Sequence, residues 1–123
     1  MTISNEIINK KWVLKERPIG MAKNSDFELQ EEQIDDISEN EIILKNKFIS
    51  FDPTQRGWLN DAPGYLPPVQ IDEVVRAMGV GEVVESKNDQ YQVGDLVIGF
   101  TGWQTYNKTV PSDTGRFRKL NYK

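Results

Sequence analysis

The chain has 123 residues, with 15 Lys and Arg against 19 Asp and Glu for a net charge of −4, and it contains neither cysteine nor histidine. That length suits one domain with one modest core, and the two absences exclude disulfides, thiolate nucleophiles, hydrolase machinery built on cysteine or histidine, and the nitrogen and sulfur ligands of zinc. The acidic balance argues against a nucleic-acid partner. No apolar run has the length of a membrane span and no signal peptide opens the chain, so the expected setting is the cytoplasm, away from a membrane.

Alternation, not helical spacing, dominates and predicts a mostly β domain. Trp12 and Leu14 share a face of the first strand, which Arg17, Pro18 and Gly20 end. Phe27 and Leu29 open a second strand that turns polar, and the acidic run Glu31, Glu32, Asp35, Asp36, Glu39 and Glu41 reads as a solvated hairpin and its edge. A third strand covers 41–51, with Ile42, Leu44 and Phe48 on a common side. The turn residues Ser38, Glu39 and Asn40 predict that the second and third strands pair directly as an antiparallel hairpin.

From Asp52 to Pro68 the alternation is lost and prolines and glycines gather, which predicts a long loop of the kind that carries function. Strands are expected again at 74–78, 80–86, 96–100 and 103–110, with turns at 87–90 and 112–115 and a short strand or tail over 117–122. Some seven short strands indicate a partly open barrel, and Gly79, Gly81, Gly94, Gly99 and Gly102 suit its corners and bulges. The Gly79-x-Gly81 pair is not a dinucleotide fingerprint, because Val84 stands where a third glycine belongs and no helix follows.

The stretch Met78-Gly-Val-Gly-Glu-Val-Val-Glu-Ser86 with Tyr91-Gln-Val-Gly-Asp-Leu-Val-Ile-Gly-Phe100 resembles the N-terminal, chaperonin-10-like domain of the zinc-free medium-chain dehydrogenase/reductases, the NADPH-dependent enone and alkenal (prostaglandin and leukotriene-type) reductases. The resemblance implies an all-β, GroES-like, partly open barrel spanning residues 1–123 with a long loop, and no Rossmann domain. It implies the substrate-side domain of an NADP(H)-dependent oxidoreductase that reduces the C=C bond of α,β-unsaturated ketones or aldehydes. Zinc has no role in that chemistry, and a second, nucleotide-binding domain supplies most of the cofactor contacts. The isolated chain is then expected to be inactive and the full-length protein to form a homodimer. The alternative is a non-enzymatic interaction or small-molecule-binding module.

The resemblance also points to site residues. Where the family reads Asp-Pro-Tyr-Met-Arg, this chain has Asp52, Pro53 and Arg56 in place, with Thr54 and Gln55 departing. Asp52, Pro53 and Arg56 are expected on the cofactor side, and Thr54 keeps one hydroxyl for the substrate in place of the phenol. Equally, Asp52 and Pro53 fit a turn and Arg56 an ion pair. Tyr65, ahead of Pro67 and Pro68, matches a substrate-facing tyrosine able to stabilise enolate charge, or else it anchors the loop. Of the aromatics Trp58, Phe100, Trp103 and Tyr106, packing is favoured for Phe100 and Trp103, and Trp58 is the substrate-pocket candidate. No catalytic acid, base or nucleophile and no metal ligand is expected in this chain.

Overall fold

The computed structural model describes residues 7–50, 54–61, 66–111 and 117–120. Among these residues seven strands, one α-helical turn and a 3-10 turn at Asn24–Asp26 follow in chain order: β1 Ile8–Leu14, β2 Phe27–Gln33, β3 Ile42–Ile49, α1 Thr54–Gly57, β4 Gly79–Ser86, β5 Leu96–Gly99, β6 Tyr106–Thr109 and β7 Arg118–Lys119. A five-stranded antiparallel sheet runs in the order β6, β3, β4, β5, β7, and β1 and β2 form a separate ribbon. The ribbon is stitched to the rest through β1, whose Val13 and Lys11 bridge Val74 and Gln104. The domain is all-β, as the alternation predicted.

The expected pairing of the second and third strands is corrected: β2 pairs with β1, from Leu14 opposite Phe27 to Ile8 opposite Gln33. The physical reason lies between them. After β2, whose residues are largely exposed, the chain crosses over to bury Ile34 and Ile37 against Ile43. β3 presents three consecutive buried residues, Ile42 and Leu44 on one face and Ile43 on the other, so both faces are covered, and its two edges are taken by β4 and β6, which leaves none for β2. Phe48 is a second correction. The register slips between Asn46 and Phe48, and that bulge leaves Phe48 73% exposed while Ile42 and Leu44 pack with Val83 and Val97. Two strands are shorter than expected: 74–78 contributes only the Val74 bridge, and 103–110 the Gln104 bridge and β6.

Gly79 and Gly81 lie within β4, as bulge and close packing require. A Cβ on Gly79 would strike the Thr101 hydroxyl and approach the Phe48 carbonyl oxygen to 2.5 Å, so only glycine lets β4 pass there. Gly102 takes a positive φ of 80°, turning the chain from β5 towards β6.

A second core cluster ties the ribbon to the barrel. Leu14 from β1, Leu59 after α1, and Val69 and Val75 from the segment before β4 are buried together, with Phe27, Trp58 and Trp103 packed around them. Burial of this kind stabilises by roughly 25 cal/mol per Å² of apolar surface removed from water, which is what holds the loop segments against the strands.

Candidate functional site

α1 directly follows the segment after β3, so the chain carries residues 54–57 to the seam between barrel and ribbon. Asp52, Pro53 and Tyr65 lie outside the described residues. Thr54 is the first residue of α1. Of the expected site residues, Arg56 and Trp58 have described side chains.

Arg56 is committed to its own chain. Its Nε and Nη2 donate to the Gly20 carbonyl at 3.1 and 2.7 Å, Nη2 also to the Pro18 carbonyl at 3.0 Å, and Nη1 to Asn60 Oδ1 at 2.7 Å. Of the five N–H donors of a guanidinium this leaves one for anything outside. Arg17 does the reverse from the other side of the seam: its Nη1 donates to the Leu59 and Val69 carbonyls, both at 2.9 Å. Each arginine thus holds backbone of the segment from which the other springs.

Trp58 packs on the core cluster and meets Phe100 edge to face, with centroids 5.8 Å apart. The Arg76 guanidinium lies 5.2 Å from the Trp58 ring centroid, and its Nη2 donates to the Pro67 carbonyl at 2.6 Å. Trp58 therefore helps to hold the far end of the long loop.

A largely apolar cavity of about 550 Å³ borders that cluster. Trp12 and Phe27 line it from the ribbon, Ala22 and Asn24 from the loop between β1 and β2, and Gln55 and Arg56 from α1. Leu59, Val75 and Trp103 complete its wall. Trp58 is not among the lining residues, whereas Trp103, which sequence reasoning assigned to packing, does both. Gln55 accepts a hydrogen bond from Trp103 Nε1 at 3.3 Å and donates from Nε2 to the Ser50 carbonyl at 2.7 Å. It is thereby a strut between the end of β3 and the indole, a part the methionine of the resembling family has no donor to play.

Asp26 anchors the loop that forms the cavity's outer lip. Its carboxylate is fully buried and accepts from the Lys23 backbone N–H and from Lys23 Nζ, both at 2.9 Å. The backbone bond first, then the bond from the Lys23 side chain, lowers its pKa below the ordinary aspartate value. A carboxyl lowered on folding contributes stability that is complete above its unfolded pKa and is lost as pH falls through the folded one. The stability gap between the wild type and Asp26→Asn is thus expected to be full at neutral pH and to shrink below pH ~4, measured as urea midpoints across that range. A gap that stays constant in acid would show that the charge is not what holds the loop. Lys15 is raised in turn, first by its hydrogen bond to Asp72 at 2.7 Å, in an exposed pair.

An all-β barrel joined to a ribbon at an aromatic-lined seam is the architecture of a GroES-like domain, not of a nucleotide-binding one. The chain belongs to the family of the N-terminal domain of oxidoreductase, in the zinc-free enone-reductase branch of the medium-chain dehydrogenase/reductases; the family's model matches residues 10–117. It is 40% identical over 99 residues to the NADPH-dependent curcumin reductase of Escherichia coli (strain K12), covering 80% of this chain and 29% of that protein. It is 32% identical over 116 residues to the NADP(+)-dependent 2-alkenal reductase of Nicotiana tabacum, covering 91% of this chain and 34% of the relative. The crystal structure of CurA from Vibrio vulnificus in complex with NADPH superposes with a TM-score of 0.80 at 32% identity, over 89% of this chain and 32% of that one. The chain spans about a third of the length of these relatives.

Proposed function

We propose that this chain is the substrate-side domain of an NADPH-dependent reductase that adds hydride to the C=C bond of α,β-unsaturated ketones or aldehydes. The observation that carries the reading is the match over residues 10–117 to a family whose relatives are named as NADPH-dependent curcumin and alkenal reductases. Bound NADPH would supply the hydride; this chain's part is to receive the substrate and polarise its carbonyl. Thr54 at the start of α1 and Tyr65 in the loop are the hydroxyl donors proposed for that carbonyl, a neutral donor being suited to a developing enolate oxygen. Trp58 shapes the loop beside them through Phe100 and Arg76. With four of its donors bound to the chain's own acceptors, Arg56 fits a cofactor phosphate poorly. The phosphate contacts therefore fall to a nucleotide-binding domain, and Asp52 and Pro53 serve the cofactor only at the cleft's edge. Zinc takes no part, and the assembled enzyme is a cytoplasmic homodimer in this reading.

The test joins this chain to the nucleotide-binding part of the Escherichia coli curcumin reductase and follows NADPH oxidation with 4-phenyl-3-buten-2-one. The chain alone is expected to show no turnover, because one wall of an interdomain cleft does not hold a nicotinamide against an alkene. The chimera is expected to turn over. A folded chimera that binds NADPH yet reduces no enone would overturn the reading, and turnover by the chain alone would overturn its dependence on a second domain.

A further inference from the structure

The cavity at the seam is built more rigidly than packing alone explains. Three of its wall residues close a ring of backbone hydrogen bonds: Trp12 N–H donates to Trp103 O at 2.8 Å, Trp103 N–H to Val75 O at 3.0 Å, and Val75 N–H to Trp12 O at 3.0 Å. Gln55 then fixes the Trp103 indole. Such a frame holds the wall residues in place around a cavity of about 550 Å³ that is open to solvent on one side. The volume falls within the range of small-molecule sites.

The chemistry of the wall selects the occupant. Two indoles and the Phe27 ring offer flat apolar surface, and Trp12 stays 42% exposed although Leu14, two residues on along the same face, is fully buried. Arg56 is the charged residue among the described lining residues; four of its five N–H donors are held by Gly20, Pro18 and Asn60, which leaves one for an acceptor oxygen, and its charge also acts on the buried Asp26 carboxylate. The Asn24 amide at the lip adds a further donor type.

We propose that the cavity between the β1–β2 ribbon and α1 binds a planar aromatic compound bearing a carbonyl oxygen, with the ring between Trp12 and Trp103 and the oxygen towards Arg56 and Asn24. Binding at this site needs no nicotinamide and is read on the chain itself, so its failure is distinguishable from a failure of the reductase reading.

The probe is 2-acetylnaphthalene, an aryl ketone with no alkene conjugated to its carbonyl for a reductase to reduce, titrated into the 15N-labelled chain while the three tryptophan indole N–H signals are followed. The Trp12 and Trp103 signals are expected to move together with one sub-millimolar Kd, and the Trp58 signal to stay in place. Ala22→Phe, which fills the mouth from an exposed position, is expected to weaken binding about tenfold or more by occluding the pre-formed space. Gln55→Met, which frees the Trp103 indole, is expected to weaken it by roughly threefold through lost preorganisation and serves as the second variant should Ala22→Phe perturb the fold. Naphthalene itself, without the oxygen, is expected to bind less tightly than the ketone. No movement of Trp12 and Trp103 up to the probe's solubility limit, movement of Trp58 alone, or undiminished binding in both variants would overturn the site. Equal affinity for naphthalene would overturn the carbonyl's part in it.

Discussion

Replacing Arg56 by methionine is expected to lower the unfolding free energy by about 2–3 kcal/mol, because a charged donor that joins three backbone and side-chain acceptors across a seam leaves them without partners. For a domain of this size that corresponds to a fall in Tm of roughly 10 °C. Lysine should not restore the loss, since an ammonium has no planar fork with which to reach Pro18, Gly20 and Asn60 together. Arg17→Met should show a smaller loss, having two carbonyl acceptors on one nitrogen. The pair should be non-additive, because Arg17 holds Leu59 and Val69 while Arg56 holds the backbone just after Arg17, so breaking one latch loosens the acceptors of the other. Thermal and urea unfolding of the two single variants and the double variant measure this. If Arg56→Met stays within about 0.5 kcal/mol of the wild type, the range of an ordinary surface change, the guanidinium is free for another partner and its assignment to the cofactor side gains ground.

This expectation marks what the sequence made legible. The position of the site segment, just after the long strand, follows from Ile42, Ile43 and Leu44 ending in Asp52-Pro53, because a run of buried residues followed by turn chemistry has a local signature. The match of Arg56 to a family motif was equally visible. Its work as a latch was not, since side-chain bonds to the carbonyls of Pro18 and Gly20, 36 to 38 positions earlier, leave no trace in composition or spacing. The cavity was hidden for the same reason. Trp12, Val75 and Trp103 meet only after three distant segments hydrogen-bond in a ring, and nothing local distinguishes a lining tryptophan such as Trp103 from a packing one such as Trp58.

Strand pairing shows the opposite weakness of local reasoning. Ser38, Glu39 and Asn40 are true turn residues, with Glu41 N–H donating to Ser38 O and Asn40 at a positive φ of 70°. The turn does not close a β2–β3 hairpin, because Ile34 and Ile37 gain more by burial against Ile43 than β2 would by continuing. Turn chemistry reports that the chain bends; which strand it then meets is decided by the apolar faces available.

Asn46→Asp should have the larger effect and an unusual pH dependence. Asn46, half-buried on β3, turns its Nδ2 to the carbonyls of Gln104, Gly102 and Thr101 at 2.6, 3.3 and 3.5 Å, and so fastens the segment that carries the Trp103 wall. Aspartate puts a carboxylate oxygen where that donor stood, facing acceptors only. Leaving the carbonyls unsatisfied and setting a charge against them should cost about 3 kcal/mol or more at neutral pH. The same surroundings favour the protonated acid, which restores one donor, so the folded-state pKa of the new carboxyl is raised above its unfolded value. The folded state then binds more protons than the unfolded one, stability falls with rising pH, and the variant should recover part of its loss as pH drops towards ~4. Asn46→Leu supplies the contrast: it removes the donor without a charge and should lose about 2 kcal/mol at every pH. Urea unfolding of both variants across that range separates the terms. Parallel losses at all pH values would mean that the aspartate has turned away from the three carbonyls, and a small loss in both would mean that the backbone ring of Trp12, Val75 and Trp103 holds the wall without Asn46.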